Sequence, residues 1–128
     1  MPVWVSLLRG VNLGARNQVN MPRLRAALPD AGFEDVRTYV QSGNVITRSR
    51  HRSPDRVADA VRATVLEHFG IDVPVMVRSP LELRDVLAWS PFPDDAAARP
   101  TAVQVLHLAA QPDPEQVAAL LAEDWSPD

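Results

Sequence analysis

Along the first 78 residues, apolar positions first alternate and then recur at helical spacing, and this pattern predicts six elements. Val3, Val5 and Leu7 interleave with Trp4, Ser6 and Leu8, a strand apolar on both faces and therefore expected at the centre of a sheet. A polar stretch follows at residues 9–20, RGVNLGARNQVN, in which Gly10 and Gly14 supply backbone freedom. Asn20 stands where it can cap a helix with Pro22 in its first turn, and Leu24, Ala27, Leu28 and Ala31 fall at helical spacing. Pro29 lacks a backbone donor and clashes with the preceding turn, so the helix is expected to kink or end there, with Gly32 closing the segment. A hairpin is predicted from 36 to 48. With Ser42 and Gly43 as its two-residue loop, Val40 pairs with Val45, Thr38 with Thr47 and Tyr39 with Ile46. Ser53 and Pro54 open a second helix carrying Val57, Val61, Thr64, Val65 and Phe69, which Gly70 ends, and Val73, Val75 and Val77 alternate in a fourth strand.

The resulting order, β-α-β-β-α-β, is a ferredoxin-like arrangement of the α/β (α+β) class. Right-handed crossovers make its four strands antiparallel, with the first and third in the middle. The loop at 9–20, the Ser42-Gly43 turn and the end of the second helix near His68 and Asp72 then emerge at one end of the sheet. Residues 1–78 form this first domain. Beyond it the pattern restarts without finishing: Ser79, Pro80 and Glu82 make a capping box ahead of Leu83, Val86 and Leu87. A linker, PFPDDAAARP, runs over 91–100, a strand is expected at 102–108, and Asp113 and Pro114 open a last helix. Residues 79–128 thus read as an incomplete second unit similar to the first, one that must pack on the first domain, pair with another copy or belong to a longer protein.

Charge divides the chain at the same place. Residues 1–78 carry 11 arginines against seven acids, a net +4, whereas residues 79–128 carry two arginines against nine acids, a net −7. Every basic residue of the 13 is arginine, which grips carboxylates and phosphates bidentately. A genome rich in GC codons and two halves that attract one another explain the same numbers. The chain has no cysteine, so disulfides and thiolate metal sites are excluded and a reducing, cytoplasmic setting fits. No stretch approaches the length of a membrane span.

The candidate site joins two polar segments. Arg9, Gly10, Asn12, Gly14, Arg16 and Asn17 of the first are expected to meet Gln41, Ser42, Gly43 and Asn44 of the QSGN turn at a helix start, whose free backbone donors favour an anion. Arg9 and Arg16 would hold charge, the asparagines would hydrogen-bond the ligand, and Gly10 and Gly14 would shape the loop. A phosphate-bearing small molecule is the leading ligand. RGVNLG is neither the dinucleotide fingerprint nor a phosphate loop with its Lys and Ser/Thr. Equally, Asn and Gln side chains can simply tie a long loop to the hairpin through backbone hydrogen bonds. An alternative is a nucleic-acid or protein interaction module on the open sheet face. If Val3, Val5, Leu7, Val40, Val45 and Val75 face the helices, that face shows Trp4, Tyr39, Ile46 and Met76 with Arg37, Arg48 and Arg78. His51, His68 and His107 lack metal-ligand spacing, and His68 is the one candidate acid or base. No catalytic residue or cofactor can be assigned, and self-association is one outlet for the incomplete second unit.

RGVNLGARN, Met21, Leu24, Gly32-Phe33 and the run VRTYVQSGNV over 36–45 closely resemble a bacterial family of unknown function, domain-of-unknown-function family 1697. FGIDVPVMVRS and the segment from Trp89 to Pro93 resemble it as well. Ala15 stands where the family usually has a second glycine, and a lysine common in the family near Arg16 or Gln18 is missing. The resemblance implies a two-part α/β fold, of which this chain is a C-terminally shortened member, and it implies no activity, cofactor or catalytic residue.

Overall fold

The computed structural model describes residues 1–126. Four strands, β1 (Val3–Leu8), β2 (Phe33–Tyr39), β3 (Asn44–Ser49) and β4 (Val75–Arg78), form one sheet in the order β2-β3-β1-β4. Every neighbouring pair is antiparallel. Helices α1 (Met21–Ala27) and α2 (Pro54–Phe69) cover one face, which is the ferredoxin-like α+β arrangement expected from the element order.

Local chemistry explains where these elements start and stop. Asn20 caps α1 by accepting from the Arg23 N–H at 2.9 Å. Pro29 ends it: the α-helix stops at Ala27, and a 3-10 turn over Leu28–Ala31 is closed by Gly32 at φ 93°. Gly70, at φ 70°, returns its N–H to the Leu66 carbonyl and ends α2. Leu24 and Leu28 from α1 and the 3-10 turn, Val57, Val61 and Val65 from α2, and Phe33, Val45 and Val77 from the sheet interlock as the core.

Two expectations about the sheet are corrected. The hairpin register is Thr38↔Val45, Tyr39↔Asn44 and Arg37↔Ile46, so the loop has four residues, Val40 to Gly43, rather than two. Val40 leaves the ladder with φ 55° and Gly43 turns at φ 89°, a chain reversal that two residues alone do not complete here. The shift is two residues, so every side chain keeps its face. The face of β1, in contrast, is the reverse of that expected. Trp4, Ser6 and Leu8 are buried against the helices, while Val3, Val5 and Leu7 lie half-buried on the other side. Pairing Trp4↔Thr47 and Ser6↔Val45 aligns Trp4 with the buried row of β3, and its indole donates to the His51 carbonyl at 3.0 Å. A strand apolar on both faces has period two but no sign, so alternation could not say which row turns inward.

Residues after β4 do not build a core of their own. The Ser79–Glu82 capping box is present and opens α3 (Pro80–Ala88). Within the expected linker lie a short helix α4 (Pro93–Ala98) and a 3-10 turn, Pro100–Ala102, and α5 (Pro114–Ala122) follows the Asp113 cap. None of α3, α4 and α5 buries a residue. The strand expected at 102–108 is absent: the segment joins no sheet, and instead the Arg78 guanidinium donates to the Leu108 carbonyl at 2.7 Å. That bond lays the segment over the open face near Leu7 and Met76 rather than along an edge, where a strand would find ladder partners. No helix among the described residues is long and apolar enough to cross a membrane.

Candidate functional site

Backbone hydrogen bonds bring the two polar segments to one end of the sheet. Leu8 N–H donates to the Gly43 carbonyl at 2.9 Å, and Arg9 N–H to the Pro74 carbonyl at 3.0 Å, so the root of the loop is stitched to the hairpin on one side and to the lead-in of β4 on the other. The loop then folds back on itself, with Asn12 N–H donating to the Asn17 carbonyl at 3.0 Å. Asn12 and Asn17 take left-handed conformations, at φ 56° and 51°, which asparagine tolerates better than most residues.

Most of the polar side chains are consumed in holding this shape. Asn12 is the central tie: its carbonyl oxygen accepts from the Val19 N–H at 2.8 Å, and its amide donates to the Val19 carbonyl at 2.9 Å and the Gln41 carbonyl at 2.6 Å. Loop and hairpin are thereby locked together by one side chain. Asn17 donates to the Gly10 carbonyl at 3.3 Å, and Gln18 donates to the Gly14 carbonyl. Asn44 donates to the Ser42 hydroxyl at 3.0 Å and the Tyr39 carbonyl at 3.4 Å, bracing the turn. Gly43 is buried beneath Val11 and Leu8. Gly10 and Gly14, at φ 70° and 64°, have open space around them.

The two arginines differ from these residues. The ion pairs of the described residues are Arg48–Asp35, Arg62–Asp72 and Arg99–Asp95, so Arg9 and Arg16 belong to none. Arg16 is exposed on the loop. Arg9 instead lines a cavity of about 500 Å³, together with Asn44, Leu7 and Met76 from the sheet and residues 105–109 from the segment laid over it. The cavity has an apolar floor and a polar rim of Arg9, Asn44 and His107.

His107 enters this site unannounced by the sequence. Its assignment to a strand of a second unit placed it elsewhere, whereas the Arg78–Leu108 bond ties its segment to the first sheet, beside Leu7 and Met76. Partial burial holds its pKa below the ordinary imidazole value, the neighbouring Arg78 charge lowers it further, and Glu82 opposes the shift. A neutral imidazole beside a free guanidinium can both donate and accept hydrogen bonds.

His68 and Asp72 do not join the site. His68 lies in the groove between the helices with Ala27, Asp30, Ala31 and Thr64. Asp72 is held by Arg62, whose Nη2 donates at 2.8 Å; this hydrogen bond keeps the carboxyl below its usual pKa and the guanidinium above its own. Among the described residues no three His, Asp or Glu side chains gather as a metal site.

No curated protein matches the chain in sequence. Among solved structures it is similar to the conserved bacterial protein SP0830 from Streptococcus pneumoniae, with 27% identity and a TM-score of 0.62 over 71% of this chain. The chain spans about half, 49%, of that solved chain's length. The family model described as protein of unknown function (DUF1697) matches residues 1–128, the whole sequence, and the chain belongs to that family.

Proposed function

We propose that this protein binds an anionic small molecule, with a phosphate group as the preferred charge, in the cavity rimmed by Arg9, Asn44 and His107. The observation that carries the reading is the free guanidinium of Arg9 at the mouth of an apolar cavity of about 500 Å³. A volume of that order suits a drug-sized or nucleotide-sized ligand, and one unpaired charge over an apolar floor is how such sites fix orientation. Arg9 grips the anion in a forked pair of hydrogen bonds, and Asn44 and His107 supply further polar contacts. Leu7, Met76, Val105 and Leu106 take up the uncharged part of the molecule. Asn12, Asn17, Gly10 and Gly14 act one step back, by fixing the loop from which Arg9 projects. Gln41, Ser42 and Gly43 do the same from the hairpin, while Arg16 contributes only long-range charge.

Backbone amide NMR with added ATP tests this reading. Shifts at Arg9, Asn44 and residues 105–109 are expected, and Arg9→Ala should weaken binding by about tenfold or more, the usual cost of a charge-assisted contact. Unperturbed amides at those positions, or wild-type affinity in the folded Arg9→Ala variant, would reject it.

A second reading, interaction of the open sheet face with nucleic acid or another protein, is narrower than the sequence suggested. Trp4 lies in the core, and residues 105–109 already cover the Leu7–Met76 side. Tyr39, 69% exposed beside Arg37 and Ile46 at the β2 edge, is what supports it. Tyr39→Ala should then weaken binding of a single-stranded oligonucleotide and leave ATP binding alone.

A further inference from the structure

At the end of the sheet opposite the Arg9 cavity, hydrogen bonds continue the β1–β3 pairing past Val3↔Arg48 and pin the chain leaving β3. Ser49 N–H donates to the Pro2 carbonyl at 3.1 Å, His51 N–H donates to the Ser49 hydroxyl at 3.0 Å, and the Trp4 indole donates to the His51 carbonyl at 3.0 Å. The His51 ring meanwhile packs against Phe33, with centroids 6.0 Å apart. His51 is thus fixed inward from both its backbone and its ring.

Arg50 and Arg52 flank it, and both line a cavity of about 640 Å³ with Met1, Pro2 and Trp4. No acidic side chain lines this cavity. Asp35 is engaged by Arg48 at 3.3 Å, and neither Arg50 nor Arg52 takes part in an ion pair of the described residues. Asp55, in the first turn of α2, is the nearest acid in sequence and offsets only part of a run that reads Arg48, Arg50, His51, Arg52 and Arg56. Arg50 and Arg52 are exposed guanidiniums with no acidic partner among the described residues, set two residues apart on a pinned backbone and lining the same cavity, so both are open to one anion.

We propose that Arg50 and Arg52 form a second anion site, which takes a phosphate group between their two forks beside the rim of the Trp4 ring. Two guanidiniums match the double charge of a phosphate better than the single charge of a carboxylate, and each offers the planar fork that phosphate oxygens accept. Besides the two guanidiniums the lining residues are Met1 with its α-amino group, Pro2 and the nearly buried Trp4, so recognition centres on the phosphate and the rest of the ligand lies outside. A free phosphate monoester presents both charges on one group, and the backbone of a nucleic acid presents phosphodiesters of one charge each, which the same forks accept.

The experiment uses the full 128-residue chain and follows the Trp4 indole N–H and the Arg50 to Arg52 amides by NMR. Sodium pyrophosphate is added in one series and a short single-stranded oligonucleotide in another. The expected result is saturable shifts at these positions, with affinity reduced about tenfold or more in the Arg50→Ala/Arg52→Ala double variant. Arg84→Ala, which removes a charge from α3, should change little. Shifts with pyrophosphate identify a small phosphate compound as the source. Shifts with the oligonucleotide alone, falling steeply with added salt, identify a polymer. The proposal is overturned if neither probe moves these resonances, or if the double variant binds as tightly as the wild type. Because the reporters lie at the far end of the sheet from Arg9, this outcome is independent of the Arg9 cavity.

Discussion

At Gly43 a hydrogen stands where any other residue would place a carbon. A Cβ there would lie 2.7 Å from Val11 Cγ2 and 2.9 Å from Leu8 Cβ, at a φ of +89° that L-residues avoid. Gly43→Ala should therefore destabilise the fold by about 2–5 kcal/mol, combining backbone strain with overpacking. A loss of unfolding free energy smaller than about 1 kcal/mol, read from urea denaturation, would mean that the hairpin relaxes away from Val11. The reverse case lies a few residues on. The hydroxyls of Ser6 and Thr47 are buried on the helix side of the sheet without a hydrogen-bond partner among the described residues. Thr47→Val keeps the shape and removes the stranded hydroxyl, so it should raise stability by about 1 kcal/mol, read from the same denaturation curve. Unchanged or lower stability would show that the hydroxyl is satisfied in solution.

At the scale of elements, the sequence carried most of residues 1–78 and misled in places with a common cause. Pro29, Gly32, Gly70 and the asparagine and serine caps announce helix ends because their backbone chemistry is local. The inward row of β1, the hairpin register and the fate of 102–108 depend on what each segment meets across the sheet, and no single residue encodes that. Asn12 belongs to the same class: its type suggested a ligand contact, while its distance from Gln41 in space made it a tie. His107 is a consequence of one such distant contact, and its titration tests the packing. Its pKa is lowered by burial and by Arg78, so as pH falls below the ordinary 6.5 the unfolded or detached segment takes up a proton before the docked one does. Docking is therefore fully stable above that value and weakens as pH drops from 6.5 toward the lowered pKa. Proton NMR should find the His107 resonance, assigned by its loss in His107→Gln, titrating below 6.5 and shifted upward when an anion fills the Arg9 cavity. A His107 resonance titrating at the ordinary value would show that the segment is not packed on the sheet.

For the whole molecule, burial and charge divide the chain at the same point. The core cluster runs from Trp4 to Val77 and includes nothing beyond it. From Leu81 onward no described residue is buried and many large apolar side chains are exposed, among them Leu87 at 81%, Trp89 at 71%, Leu106 at 84% and Leu121 at 78%. Apolar burial is what opposes chain entropy, so the two parts cannot share one stability. Hydrogen exchange of the isolated chain should separate them. Amides of β1, β3 and α2 should exchange only through global unfolding, whereas those of α3 and α5 should open at a small fraction of that free energy. The Arg78–Leu108 bond, one exposed contact, is too weak to change this ranking. Protection in α3 and α5 equal to that in β1 would require their apolar faces to be covered in solution. The protein concentration dependence of that protection would then say whether a second copy covers them, since only association grows with concentration.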